Sequence, residues 1–285
     1  MIKRSELGEN LAGKRLDEVV SLVFEGVSKS EARRIIDRGG CAVNSSMVRV
    51  ASRTVKYGDV IEIGIMEPGR FSDLVLPPEA LLYEDNDLIA VNKPAGINSQ
   101  RTPYQLKGTL EYWVGEFFRQ HGSAEPVRIV HRLDRGTSGV MLFPKNRQSA
   151  AWLSRGFHDG LIEKRYLALV DGIPDLPEWE TDAPIGKVGS GRYGVVEGGK
   201  PARTIFRIVA AADGKSLVEA RPVTGRTHQI RVHLAASGLP IAGDVTYGGS
   251  AARRMMLHCA GLVFRGRDGR TVRIDAPSDR EFTVV

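Results

Sequence analysis

One carboxylate in the chain stands where it could do chemistry. In the stretch RIVHRLDRGTSGV, residues 128–140, Asp134 lies between Arg132 and Arg135 among apolar or small residues. The pattern reads as a strand, a tight turn and the start of a second strand. Two readings of Asp134 are open. It can close the turn by accepting the amides of Gly136 and Thr137, with one arginine as an exposed ion pair. Alternatively it is a working group, since an ionised carboxylate in a cleft can attack a sugar carbon or remove a proton. A neighbouring arginine would favour the ionised form, and Gly136 and Gly139 would let a polymer approach the backbone. Hydrolysis of a glycosidic bond fits less well. That chemistry uses a second carboxylate across the bond, and the motifs around Asp134 contain no second acid.

Other residues suggest chemistry without the spacing to support it. DGKS, residues 213–216, ends like a phosphate-binding loop, but Val209 stands where the first glycine is needed. HRLD resembles a kinase catalytic loop, but no glycine-rich loop or Asp-Phe-Gly accompanies it. His228 and His233 do not share a helical face well and have no third ligand nearby, so no metal is expected. Cys41 and Cys259 are the only cysteines, which rules out a zinc ribbon and argues against a disulfide framework. The start, MIKRSELGEN, lacks the apolar core of a secretory signal, and no run of about 18 apolar residues occurs. A reducing, cytoplasmic setting is therefore expected, without membrane contact. The 285 residues carry a formal net charge of +6 and a pI near 9.4, a balance suited to a polyanion such as nucleic acid.

The elements that must position these groups fall into two parts. In the first, RLDEVVSLVFEG and SKSEARRIIDRGG have helical apolar spacing, and CAVNSSMVRV and GDVIEIGI read as two short strands. The second helix carries a cationic stripe of Lys29, Arg33, Arg34 and Arg38, suited to RNA phosphates or simply to solvent. Residues 67–79, with three prolines, read as a linker between a small domain, 1–66, and a larger one, 80–285. In the larger part LLYEDNDLIAVNKPAGI is a strand pair, and TLEYWVGEFFRQHG is a helix with Leu110, Trp113, Val114 and Phe117 inward. RQSAAWLSRGFHDG is helical and EKRYLALVDG is a strand. TIFRIVAAADGKSLVEARPV is a hairpin turning at Asp213-Gly214, and GRTHQIRVHLAASG is a helix. Hairpins mixed with helices argue for an α+β fold with a largely antiparallel sheet, preceded by a small α+β domain.

Two resemblances add to this. The stretch RLDEVVSLVFEGVSKSEARRIIDRGGCAVNSSMV followed by YGDVIEI resembles the RNA-binding domain named after ribosomal small-subunit protein four. HRLDRGTSG is similar to the signature of large-subunit ribosomal RNA pseudouridine synthases of the RluA type. DNDLIAVNKPAGI, KRYLALVDG, RPVTGRTHQIRVHLAASGLPIAGDVTYG and MLHCAGLVF resemble that family's other motifs, in family order. The resemblance implies that Asp134 is the catalytic aspartate, that Tyr166 is the catalytic tyrosine, which stacks on the target uracil and helps to remove the proton at its carbon 5, and that Arg226 is the basic partner of the aspartate. It implies that Arg132 enters the base stack when the target leaves, and that Ile230 or Leu257 forms an apolar pocket wall. It further implies isomerisation of uridine within RNA, by base flipping and without a cofactor. Ribosomal RNA is the expected substrate and transfer RNA the other candidate. No obligate protein partner is implied and a monomer is expected. A non-catalytic RNA-binding or ribosome-assembly factor on the same scaffold is the competing reading. Arg253-Arg254 would be a further phosphate contact.

Overall fold

The computed structural model describes residues 2–37, 40–48, 50–64, 74–101, 108–189 and 192–284. Most of the expected linker, and Arg38, lie outside the described residues. The chain forms two compact units, residues 1–75 with 100–123, and residues 76–99 with 124–285.

In the first unit, strand β1 (Ile2–Glu6) precedes helices α1 (Leu16–Val23) and α2 (Lys29–Asp37). Strands β2 (Cys41–Val43), β3 (Ser46–Val48) and β4 (Val60–Gly64) complete an antiparallel sheet in the order β1-β4-β2-β3. CAVNSSMV is thus a hairpin rather than a single strand. Asn44 and Ser45 make its turn in the left-handed region at φ 52° and 63°, as a two-residue hairpin loop requires. The apolar stripes of both helices bury Leu16, Val19, Val20, Ala32, Ile35 and Ile36 in one core with Ile61 and Ile63. Asp17 is buried at the start of α1, where Arg15 and Arg33 hold its carboxyl at about 2 against the cost of burial. Helix α3 (Leu110–Gln120) is capped by Thr109, whose hydroxyl accepts from Tyr112 N at 3.2 Å. It buries Leu110, Val114 and Phe118, while Trp113 and Phe117 stack on each other at 5.5 Å and stay half-buried. The apolar stripe therefore lies one residue further round the helix than the sequence suggests.

The second unit is one large sheet with helices against it. Its strands are β5 (Leu81–Glu84), β6 (Leu88–Lys93), β7 (Ser138–Pro144), β8 (Glu163–Asp171) and β9 (Glu178–Thr181). A separate hairpin, β10 (Ile185–Gly189) and β11 (Arg192–Val195), precedes β12 (Thr204–Ala212) and β13 (Lys215–Pro222). Strands β14 (Leu257–Arg265) and β15 (Thr271–Asp275) finish the chain. The sheet order is β5-β6-β7-β14-β8-β13-β12-β9, with β15 beside β14. Every pairing is antiparallel except β7 with β14. Helices α4 (Arg147–His158) and α5 (Gln229–Ala236) accompany the sheet.

The expected hairpin β12–β13 forms, with Asp213 and Gly214 both at positive φ. The central strand β7 is buried along its whole length, which explains its continuous apolar run. Gly139 has φ 112°, and a Cβ there would lie 2.1 Å from Cys259 O. This glycine lets β14 come alongside β7; it does not serve the approach of a polymer. Gly136 is likewise covered, since a Cβ there would sit 3.1 Å from the Met255 side chain.

Candidate active site

Asp134 lies in the turn that feeds β7, closed by Thr137 N donating to the Asp134 carbonyl at 3.0 Å. The residues before it, 128–133, do not form the expected strand. A side chain, not a neighbouring strand, satisfies the backbone of Leu133, and the His131 ring serves the backbone of β7. Ser99 Oγ donates to Leu133 O at 2.6 Å and accepts from Leu133 N at 3.0 Å. His131 Nε2 accepts from Leu142 N at 2.8 Å, which requires an unprotonated nitrogen; burial pushes that imidazole down to about 3. Below the turn, fully buried Lys93 donates to the carbonyls of Pro94 at 2.9 Å, Ile97 at 2.8 Å and Arg135 at 3.3 Å. Burial draws its ammonium down to about 7. The loop that carries the carboxylate is thus held from beneath.

Among the described residues the carboxylate of Asp134 takes no backbone amide. Its Oδ2 accepts from Arg231 Nη1 at 2.9 Å, and among the described residues no donor reaches Oδ1. Arg231 also gives Nε to Asp244 Oδ2 at 2.7 Å and Nη2 to Asp244 Oδ1 at 2.9 Å. One guanidinium therefore bridges two carboxylates, in the fork geometry that only arginine offers. Asp244 is 2% exposed, Arg231 9% and Asp134 21%, so water reaches the Asp134 end of the array. The Arg231 guanidinium also lies over the Tyr247 ring, 4.9 Å from its centroid.

This corrects the expected ion pair. Arg226 does not meet Asp134; its Nε donates to Pro201 O at 2.8 Å. The sequence places Arg226 at the start of a helix, but α5 begins at Gln229. Gln229 Oε1 accepts from Thr224 Oγ1 at 2.6 Å and from Arg226 N at 2.9 Å, and this ties the preceding loop into its own turn. Arg231, inside the helix, is the residue carried to the carboxylate. A signal for it existed: an arginine in the apolar run QIRVHL needs a buried partner.

Asp134 opens into a cleft of about 700 Å³. The other expected residues meet there. Tyr166, on β8 opposite Cys259 of β14, forms one half-buried wall. Burial raises its phenol well above the ordinary range, with Cys259 and Asp134 adding to the shift, so it is a neutral ring at physiological pH. Ile230 and Leu257 are both buried and both line the cleft, so the apolar wall uses the two together. Arg132 and Arg226 stand at its exposed edge, and no ion pair engages Arg132 among the described residues.

The other expected cations divide. In the first unit Arg33 pairs with buried Asp17 at 3.0 Å and Lys29 approaches Glu18 at 3.7 Å, while Arg34 is exposed without a partner among the described residues. Arg253 pairs with Glu281 at 3.0 Å and Arg254 with Asp279 at 2.6 Å, so that basic pair has acidic partners within the chain.

Residues 87–236 match the RNA pseudouridylate synthase family, and residues 14–61 match the S4 domain. The chain is 33% identical to ribosomal large subunit pseudouridine synthase C of Yersinia pestis, covering 95% of this chain and 90% of that protein. It is 32% identical to ribosomal large subunit pseudouridine synthase D of Zymomonas mobilis, covering 98% and 95%. Among solved structures, human RNA pseudouridylate synthase domain containing 1 superposes with a TM-score of 0.61 at 29% identity, over 75% of this chain and 86% of that one. The chain belongs to the RNA pseudouridylate synthase family, with an S4 domain at its N-terminal side.

Proposed function

We propose that the protein converts uridine to pseudouridine in large-subunit ribosomal RNA, with Asp134 as the reacting carboxylate. The carbon–nitrogen glycosidic bond breaks, the freed uracil turns over, and its carbon 5 bonds to the same sugar carbon. Carbon 5 loses its proton and the former glycosidic nitrogen gains one, so product and substrate are isomers and no redox step is needed. The observation that carries the reading is the carboxylate itself. It lies in a cleft with one oxygen held by a buried arginine and the other without a donor among the described residues, beside a flat aromatic wall. Asp134 acts on the ribose, either by attack at the anomeric carbon or by removal of the neighbouring sugar proton.

A base inside folded RNA cannot reach such a carboxylate and must be flipped out, at a cost of a few kcal/mol. The planar guanidinium of Arg132 is suited to replacing the lost stacking, and Tyr166 offers its face to the extruded base. The neutral, elevated phenol suits a stacking surface more than a base that must lose its own proton. Residues 1–66, through Lys29, Arg34 and Arg38, add phosphate contacts, and residues 80–285 carry the chemistry. The names of the relatives support ribosomal RNA as the substrate.

Tritium release from RNA labelled at carbon 5 of uridine, comparing wild type with Asp134→Ala, tests the reaction. Pseudouridine mapping of total RNA with and without the gene identifies the site and separates ribosomal from transfer RNA. If wild type releases no tritium from any cellular RNA, the non-catalytic RNA-binding reading takes its place. Free uracil or an abasic RNA would indicate hydrolysis instead.

A further inference from the structure

The second group beside the Asp134 carboxylate is His228. Its Nε2 lies 3.7 Å from Asp134 Oδ2, the same oxygen that Arg231 holds. The residue caps α5 with a left-handed backbone, φ 57° and ψ 19°, an uncommon conformation outside glycine that histidine adopts more often than most. That backbone is one point to which an observed strain attaches a functional hypothesis.

The hydrogen bonds around the ring favour one tautomer. Tyr247 Oη accepts from Tyr193 N at 3.2 Å. It also lies 2.9 Å from His228 Nδ1. Among the described residues Nδ1 is the one acceptor within reach of the hydroxyl, an arrangement suited to the hydroxyl donating and Nδ1 accepting. A ring nitrogen that accepts carries no proton, and the neutral imidazole then bears its proton on Nε2, the atom facing Asp134. The rings of Tyr193 and Tyr247 each meet His228 edge-on at 5.7 Å and hold its plane. Burial disfavours a second proton on the ring; Asp134 and Asp244 pull the other way, and Arg231 and Arg132 add to the lowering.

We propose that His228 is a positioning residue for Asp134, a neutral imidazole locked as the Nε2–H tautomer by the Tyr247 hydroxyl, whose N–H closes on Oδ2 when substrate is bound. The inference rests on Asp134 being the reacting carboxylate. At 3.7 Å the contact is too long for a hydrogen bond, and catalytic hydrogen bonds often tighten only in the complex. With Arg231 and His228 both directed at Oδ2, Oδ1 is the oxygen left for the ribose. A protonated imidazole would put a second cation beside Arg231, whereas the neutral tautomer donates a hydrogen bond without that repulsion.

The test uses the full chain and a tritium-release substrate. His228→Asn tolerates the left-handed backbone and keeps the fold, but its amide is too short to reach Oδ2; kcat should fall about 10- to 100-fold, the scale of one hydrogen bond to a charged group, with KM little changed. His228→Gln, whose amide nitrogen can occupy the Nε2 position, should recover most of that loss. Nitrogen NMR of the labelled imidazole should show an unprotonated Nδ1 and a protonated Nε2 in wild type. In Tyr247→Phe it should show a tautomer mixture. Wild-type kcat in His228→Asn, or a proton on Nδ1 in wild type, overturns the proposal. Asp134→Asn separates the two levels. If Asp134→Asn is as active as wild type, the reading of the carboxylate fails. If it is inactive while His228→Asn is unimpaired, only the His228 inference falls.

Discussion

Arg231→Met is the substitution that most directly tests the architecture of the site. Methionine keeps much of the side-chain volume but removes the cation between Asp134 and Asp244. Asp244 is 2% exposed and keeps only Thr246 N, at 3.1 Å, as a donor among the described residues. Breaking a buried ion pair from one side typically costs about 3–5 kcal/mol. Asp134 adds little to that sum, because at 21% exposure water can replace the lost partner. For a unit of this size about 2–4 °C of melting temperature follows each kcal/mol, so Tm should drop by roughly 6–20 °C, read by calorimetry or circular dichroism. Tritium release at a temperature where the variant is still folded should fall roughly 10²–10³-fold, the loss usual when a preorganised donor to a reacting group is removed.

Adding Asp244→Leu to Arg231→Met separates stability from chemistry. The double variant replaces a buried ion pair by apolar groups, an exchange that is often neutral, so most of the lost Tm should return. Activity should not return, since Asp134 remains without its partner. An unchanged Tm in the single variant, or restored activity in the double variant, would refute this account of Arg231.

Three further outcomes follow from the same geometry. Asp134→Asn keeps an oxygen for Arg231 and should melt close to wild type while tritium release falls below detection; a folded variant that still turns over would sink the assignment of the reacting group. Arg226→Ala removes a bond to Pro201 O and a charge at the cleft edge, so kcat should stay within about twofold while RNA affinity and its salt dependence decline; a large kcat loss would return Arg226 to the chemistry. Lys93 has a folded pKa of about 7 against 10.5 when unfolded, so the unfolded chain binds the extra proton between those values. Stability measured by urea denaturation should therefore rise with pH from about 7 to about 10.5, with the penalty fully present below that window. Lys93→Met should lack this slope, and a slope of the same size in Lys93→Met would show that other groups produce it.

Much of this molecule is legible as sequence because its information is local. The Asp213-Gly214 turn announces its hairpin since only a few residues accept positive φ in succession. Strand β6 ends at Lys93 because Pro94 cannot donate to a ladder. The motif around Asp134 marks a turn at a cleft, and Tyr166, Ile230 and Leu257 line the same cleft. Local pattern misleads where a segment's partners are remote. Residues 128–133 look like a strand, but Ser99 and not a neighbouring strand satisfies Leu133.

The choice between Arg226 and Arg231 is the clearest division between the two kinds of information. The family resemblance implies a cation beside Asp134, and both arginines lie in one short motif. Which of them arrives depends on where α5 begins and how it is rotated. Gln229 bonds to Thr224 and to Arg226 N, and His228 turns through the left-handed region, so the helix starts three residues after Arg226 and directs Arg231 inward. Asp244, 13 residues on and beyond the end of α5, then holds the other edge of the guanidinium. The motifs alone marked out Asp134 and Tyr166, which line one cleft, and they carry the resemblance to the family that the chain matches. Which cation holds the carboxylate follows from the folded chain, because the Arg231 guanidinium is fixed between Asp134, 97 residues away, and Asp244, a pairing that no local pattern encodes.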